Sequence, residues 1–439
     1  MSTVDFDNAV ERLILACEET PGFDHVRRAL LVRDLAGRLR LALDVTNPPA
    51  GLEDRLVQAL GGWYSGPLLT TADPQPGRRG LALALLQQPP DSWPLGWPTD
   101  VLLDPLAGTR AVLPGERWSA RQAVYSKAPW LTGHAVDPPW PLVDQAPRVT
   151  AFYSFKGGVG RSTTLAVLAV LLARRGQRVA VVDLDLEAPG LTTLLTPPDA
   201  ERPTSSVVDY MLHHATAGRP PVLPLVPVGL GGVTISLVPA GKLDPAYLER
   251  LARLDTVGRL PGSGGNPVHT ALHGLLKQLR GDHDHILLDC RTGLNDLGGV
   301  VLADLAHVDV LVGRSARADL EGLALVLRAL ARRRTPAARR LLTVQTFLFD
   351  PVHTPAGRAT HEAHRDAQYD LFSEHWYDQE DLPDLLDDQQ PHYPLPVLFE
   401  RTLAQLPWLG DAHAGLWEEP GYHAVLSRLD GLWASEPPR

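Results

Sequence analysis

The chain has 439 residues, a formal net charge of −10 and an ordinary composition, 44% apolar and 21% charged. That length allows two or three domains with real cores, and the acidic balance argues against a surface built to coat nucleic acid, although a local basic patch is compatible with it. Its two cysteines, Cys17 and Cys290, exclude a disulfide framework and fit a reducing cytoplasm. No apolar run approaches the roughly 20 residues of a membrane span. Met1 to Val10 is acidic and polar, unlike a secretory signal.

In chain order, Asp5 to Glu19 has helical apolar spacing through Phe6, Val10, Leu13, Ile14 and Cys17. Arg28 to Asp44 reads as two strands around the turn Asp34-Leu35-Ala36-Gly37, and Gly51 to Leu60 as a helix. Gly66 to Asp100, rich in Pro, Gly and Trp, reads mainly as loop. Val101 to Pro114 reads as a short hairpin around Gly108. No catalytic constellation stands out here, and residues 1–130 read as a small α/β accessory or partner-binding domain. Residues 131–147, with Pro138, Pro139, Pro141 and Pro147, read as a stiff linker.

From Arg148 strands and helices alternate. Strands are expected at Val149–Tyr153, Arg178–Asp183, Val233–Pro239, His285–Asp289, Val308–Val312 and Leu341–Phe347. Helices are expected at Thr164–Arg175, Ser205–His214, Pro245–Leu254, Pro267–Arg280 and Asp319–Arg333. Several strands are continuous apolar runs, as buried parallel strands are. The expected fold class is α/β: a doubly wound, mostly parallel sheet over residues 148–405, beside the smaller N-terminal α/β domain. Residues 406–439 are expected to pack on that core as a tail.

Three blocks in this unit carry chemistry. Lys156-Gly157-Gly158-Val159-Gly160-Arg161-Ser162-Thr163 lies between an apolar strand and a helix, the context that makes a phosphate-binding loop credible. Its glycines let N–H groups converge on phosphate oxygens, and the helix N-terminus adds a positive dipole end. Ser162 is placed to put its hydroxyl on Mg²⁺ and Thr163 to contact a phosphate. In Val181-Val182-Asp183-Leu184-Asp185 a buried strand ends in two carboxylates on one side of the chain. In Ile286-Leu287-Leu288-Asp289 a second apolar strand ends in an acid able to hold the Mg²⁺ hydration shell, followed by Gly293, whose N–H could sense a γ-phosphate. An apolar strand ending in Asp is commonly only a strand end; the three blocks in this order within one α/β unit are far more specific.

The chain's only lysines are Lys127, Lys156, Lys242 and Lys277, so arginine is strongly preferred. A lysine kept at 156 is therefore informative, whereas Arg161, where such loops carry lysine, is partly explained by the bias. A guanidinium is larger and planar, able to neutralise phosphate charge through two parallel hydrogen bonds but bulky for fast turnover.

At these residues, together with Val238-Pro239-Ala240-Gly241, the chain resembles the MinD/ParA family of deviant Walker-A P-loop ATPases over roughly residues 148–405. More narrowly, it resembles a bacterial variant group with Arg in the loop and Asp-x-Arg-Thr-Gly after the second acidic strand, associated with signalling and biological-conflict (defence) systems. The resemblance implies ATP and Mg²⁺ as cofactors and a homodimer formed through the nucleotide face. It implies that Lys156 reaches the partner's phosphates, that Asp185 positions the attacking water, and that Asp183 and Asp289 support Mg²⁺. Phe155, at the first glycine position of the strict loop, and Arg161 depart from the pattern.

The expected function is thus an ATP-dependent dimerising switch with slow hydrolysis, coupled to an unknown protein through the N-terminal domain. A nucleotide-sensing module without turnover and a ParA-type DNA-associated ATPase are the alternatives. The run Arg328, Arg332, Arg333, Arg334, Arg339 and Arg340 invites the DNA reading, or is simply the solvated end of a helix. His361-Glu362-Ala363-His364 lacks the zinc-protease spacing and reads as a solvated helix face. His283 and His285 read as the exposed start of a strand. Cys290 reads as a buried small hydrophobe, and Val425 to Trp433 as a helix packing on a domain rather than on a membrane.

Overall fold

The computed structural model describes all residues except 1–3, 5–7, 34–36, 88–115, 123–126, 128–129, 131–137, 143–145, 199, 201–204, 218–220, 258–266, 334–339, 402–407 and 435–439. The chain divides into two compact units, Met1–Gly133 and His134–Arg439.

The first unit runs α1 (Ala9–Glu18), β1 (Arg28–Arg33), β2 (Leu39–Asp44), α2 (Leu52–Leu60), β3 (Leu69–Thr70), α3 (Pro76–Gln87) and β4 (Trp118–Gln122). Its sheet has the order β3-β2-β1-β4, with β1 and β2 antiparallel. Strand alternation sends Ala29, Leu31, Leu41 and Leu43 into the core with α1 and α2, and Leu30, Val32 and Ala42 toward Ala82 and Leu85 of α3. Both faces are therefore covered. The loop expected over Gly66 to Asp100 is corrected: it contains β3 and α3. Pro76 starts α3 at a first-turn position, where proline is tolerated, and the glycine-rich composition masked the apolar stripe behind it. The hairpin expected at Val101 to Pro114 lies outside the described residues.

The second unit contains β5 (Arg148–Tyr153), α4 (Arg161–Arg174), β6 (Val179–Leu184), α5 (Gly190–Leu195), α6 (Val207–Ala217), β7 (Val226–Leu230) and β8 (Val233–Val238). It continues through α7 (Pro245–Val257), α8 (Pro267–Leu279), β9 (His285–Cys290), α9 (Asp296–Val300), β10 (Val308–Gly313), α10 (Arg317–Arg333), β11 (Leu341–Leu348), α11 (Pro355–His375), β12 (Leu395–Leu398) and α12 (Pro420–Ala434). The sheet order is β12-β11-β10-β5-β9-β6-β8-β7, parallel except for β7, which pairs antiparallel with β8 and was not foreseen. This is the doubly wound, mostly parallel sheet expected, with β5 at its centre.

Helix α4 is buried almost all round, from Thr164 to Leu172, so it is a central helix rather than an amphipathic surface one. Val425, Leu426, Leu429 and Trp433 of α12 join the same core. Trp433 donates from Nε1 to Thr150 Oγ1 at 3.2 Å and packs on the His285 ring at 4.4 Å between centroids. The expectation for His283 and His285 is corrected: both are buried, His285 under Trp433 and His283 with Nδ1 3.0 Å from the Leu279 carbonyl. Trp140, in the segment read as a linker, is also buried; its Nε1 donates to the Pro147 carbonyl, and its own carbonyl meets His307 Nε2 at 2.8 Å. No helix among the described residues is long and apolar enough to cross a membrane.

Candidate nucleotide site

The site lies where β5, β6 and β9 end. Parallel register places Asp289 of β9 beside Phe152 of β5 and beside Asp183 of β6. The two acidic strands therefore end side by side, next to the loop that leaves β5, in the crevice where doubly wound sheets bind ligands. The loop enters α4 through Gly160, whose φ of +80° suits glycine and turns the chain into the helix.

Phe155 does not open the loop as a glycine would. Its ring lies over α10, where a Cβ at Gly322 would fall 2.0 Å from Phe155 Cγ. Lys156 is exposed, with Nζ 5.4 Å from the centre of the Phe155 ring. Gly157 and Gly158 are exposed as well, while Val159 is buried in the core.

Arg161 turns inward. It is 5% exposed. Its Nε donates to Asp289 Oδ1 at 2.6 Å and its Nη2 to Asp185 Oδ2 at 3.0 Å. The Ser162 hydroxyl donates to the other Asp289 oxygen at 2.6 Å. Arg161 Nη1 is buried with no hydrogen-bond partner among the described residues. Burial opposes the guanidinium's charge, but Asp289 and Asp185 outweigh burial and hold it above its ordinary range. Burial pushes the Asp289 carboxyl up, against the pull of Arg161. The geometry is that of a forked cation gripping two acids, which a lysine ammonium could not reproduce.

Asp183 is held by other donors. Its Oδ2 accepts from the Thr192 N–H at 2.7 Å and the Thr192 hydroxyl at 2.6 Å, and its Oδ1 from the Asp185 N–H at 3.2 Å. Thr192 Oγ1 in turn accepts from the Ala240 N–H at 3.0 Å, tying in the Val238-Pro239-Ala240-Gly241 segment. Burial and then the charge of Asp289 raise the Asp183 carboxyl. Sequence reasoning missed Thr192, which no motif marks. It also missed Asn295, whose Oδ1 caps α9 through Gly298 N–H at 2.7 Å while its Nδ2 donates to the Gly293 carbonyl at 3.0 Å. The Gly293 N–H, expected to sense a γ-phosphate, donates to the Ser154 carbonyl at 3.3 Å.

The Mg²⁺ expected at Ser162, Asp183 and Asp289 needs oxygen donors that face one point. Ser162 and Asp289 do meet, but both oxygens of Asp289 and both of Asp183 already accept bonds from the chain. The donor set, as arranged, serves a guanidinium rather than a divalent ion.

Other expected features fall outside the site. Burial pushes the Cys290 thiol well up, so it stays neutral and inert. The solvated face expected for His361 and His364 is corrected: both are buried, with His361 Nδ1 2.6 Å from Gln345 Oε1. The α11 stripe that carries them packs on β11, which three-residue histidine spacing alone does not reveal. Arg328 pairs with Glu374 at 3.4 Å, and Arg334 and Arg339 lie outside the described residues.

The family model for the CobQ/CobB/MinD/ParA nucleotide-binding domain matches residues 150–369. The iron-sulfur cluster carrier protein of Salmonella typhimurium is 42% identical over 65 residues, 15% of this chain and 17% of that protein. The chloroplastic septum site-determining protein minD homolog of Arabidopsis thaliana is 28% identical over 172 residues, 39% of this chain and 46% of that protein. The matches thus span less than half the length of these curated relatives. Among solved structures, that of pnob8 ParA is similar, with 18% identity and a TM-score of 0.45, over 65% of this chain and 99% of that one.

Proposed function

The chain belongs to the CobQ/CobB/MinD/ParA nucleotide-binding family, and from that premise we propose that it is an ATP-dependent switch with slow turnover. The observation that carries this reading is the buried cluster of Arg161, Ser162, Asp185 and Asp289 at the first turn of α4, joined by bonds of 2.6, 3.0 and 2.6 Å. In this reading the N–H groups of Gly157 to Thr163 and the α4 N-terminus hold the triphosphate. The exposed Lys156 serves a second copy of the chain, whose phosphates it would neutralise across a shared nucleotide face. Asp185 orients the attacking water, but its Oδ2 is held by Arg161. Turnover is slow because that oxygen must be released first. Residues 1–130 couple the nucleotide state to a protein partner. The likeness of the loop to the variant group supports placing that partner in a bacterial signalling or conflict system.

Light scattering with ATP and with ADP tests the switch. ATP should double the mass of the wild type and leave Lys156→Ala monomeric. The reading fails if neither mass nor nucleotide affinity responds. The Arg161–Asp185 pair also favours a second reading, a nucleotide-sensing module without hydrolysis. Single-turnover measurement separates the two: a rate abolished by Asp185→Ala identifies the enzyme, and an undetectable wild-type rate the module.

A further inference from the structure

We propose that Arg161 is a tethered counter-cation that does at Asp289 and Ser162 what a divalent ion does in other phosphate-binding loops, so that this site takes a nucleoside triphosphate without a divalent metal. The inference rests on the nucleotide reading above and concerns how the same site is charged.

In phosphate loops of the usual kind, a loop hydroxyl and an acid at the end of a neighbouring strand hold the metal. Here those two groups are Ser162 and Asp289, and they are bonded to each other and to Arg161. The guanidinium delivers its charge to the place a metal would occupy. It is anchored by two acids from different strands, Asp185 beyond β6 and Asp289 on β9, with 6% of its side chain exposed against 9% and 0% for theirs. A metal entering the site must compete with a cation that is already bonded and already buried. Asp183, the remaining acid of the site, has both oxygens committed to Thr192 and Asp185.

Arg161 also keeps a donor in reserve. Nη1 is buried and has no acceptor among the described residues. A phosphate oxygen entering the loop would supply one, and the guanidinium would then bridge acid and phosphate. That bridging is the task a divalent ion performs between a strand-end acid and the β- and γ-oxygens. Lysine could not do this, because a single ammonium cannot span Asp289, Asp185 and a phosphate in a fixed fork. A lysine at this position would leave Asp289 and Ser162 to a metal.

The test titrates the full chain with a fluorescent N-methylanthraniloyl ATP, once with Mg²⁺ and once with excess chelator, for the wild type and Arg161→Lys. Wild-type affinity should change less than about threefold on chelation, and that of Arg161→Lys should fall about tenfold or more. A wild type that itself loses tenfold overturns the inference, and this arm does not depend on the variant folding. In parallel, Mn²⁺ binding to the nucleotide-free chain is followed by electron paramagnetic resonance, since Mn²⁺ suits carboxylate and hydroxyl donors. The wild type should take up no Mn²⁺, and Arg161→Ala should gain a site; uptake by the wild type overturns the inference. If no nucleotide binds in either buffer, the functional reading fails, and the Mn²⁺ arm alone decides this one.

Discussion

The two ends of the large sheet solve the same problem in opposite ways. At the carboxyl end, Arg161 is buried between Asp185 and Asp289 and bonded to both. At the amino end, His285 is just as deeply buried but is held neutral: burial lowers its pKa to about 4, and it packs on Trp433. A buried ion pair can exchange partners when a ligand of matching charge arrives. A buried neutral ring has nothing to exchange and serves only packing. Under the proposed function the carboxyl end is the responsive end, whereas the amino end packs α12 onto the core.

The contrast can be broken first at Asp289. Asp289→Ala breaks a buried ion pair, leaves the guanidinium to Asp185 alone, and should cost about 3–5 kcal/mol in stability, read from denaturant midpoints. A loss under about 1 kcal/mol means that Asp185 alone satisfies Arg161 and that the cluster is loose.

The amino end is tested by pH. Folded His285 has a pKa near 4 against 6.5 when unperturbed, so the unfolded chain binds more protons between those values. Stability must then fall as pH drops from about 6.5 to 4, by roughly 3 kcal/mol from this ring. Burial lowers His364 to about 4 as well and adds a similar loss. His285→Gln should accordingly keep only part of the acid sensitivity. Equal losses in both chains between pH 7 and pH 4.5 would show that His285 is not held neutral.

Gly322→Ala probes how the loop is seated. The new methyl meets Phe155, so destabilisation of about 1–3 kcal/mol is expected, with Phe155→Leu recovering part of it in the double variant. Strict additivity of the two changes would disprove the contact. Trp433→Phe, the mildest, removes one bond to Thr150 and should cost about 1 kcal/mol with little change in nucleotide binding.

The α/β class and the turn of a glycine-rich loop from β5 into α4 were legible because both rest on local signals, apolar runs and glycine spacing. The approach of Asp183 and Asp289 was foreseen only as motif order; their adjacency is a matter of strand register between β6 and β9. The first unit was harder to read. Its α3 hides in Pro- and Gly-rich sequence, and β4 pairs with a strand far away in the chain. His361, His364 and His285 were misplaced as solvated for one reason: imidazole is tolerated inside when neutral, and composition does not show which helix will cover it.

What the sequence by itself determined was the set of chemical groups: a glycine loop opening a helix, a lysine kept at 156 in a lysine-poor chain, an arginine at 161, and acids closing two apolar strands. Each is set by covalent identity and short-range periodicity. Which group each side chain serves was decided only by tertiary structure. Register brought Asp289 to the loop, Thr192 took hold of Asp183, and Arg161 came to lie buried between two carboxylates. The meeting of Arg161 and Asp289 depends on segments 128 residues apart, and the desolvation of a charge is a property of the packed interior, not of the residue that carries it.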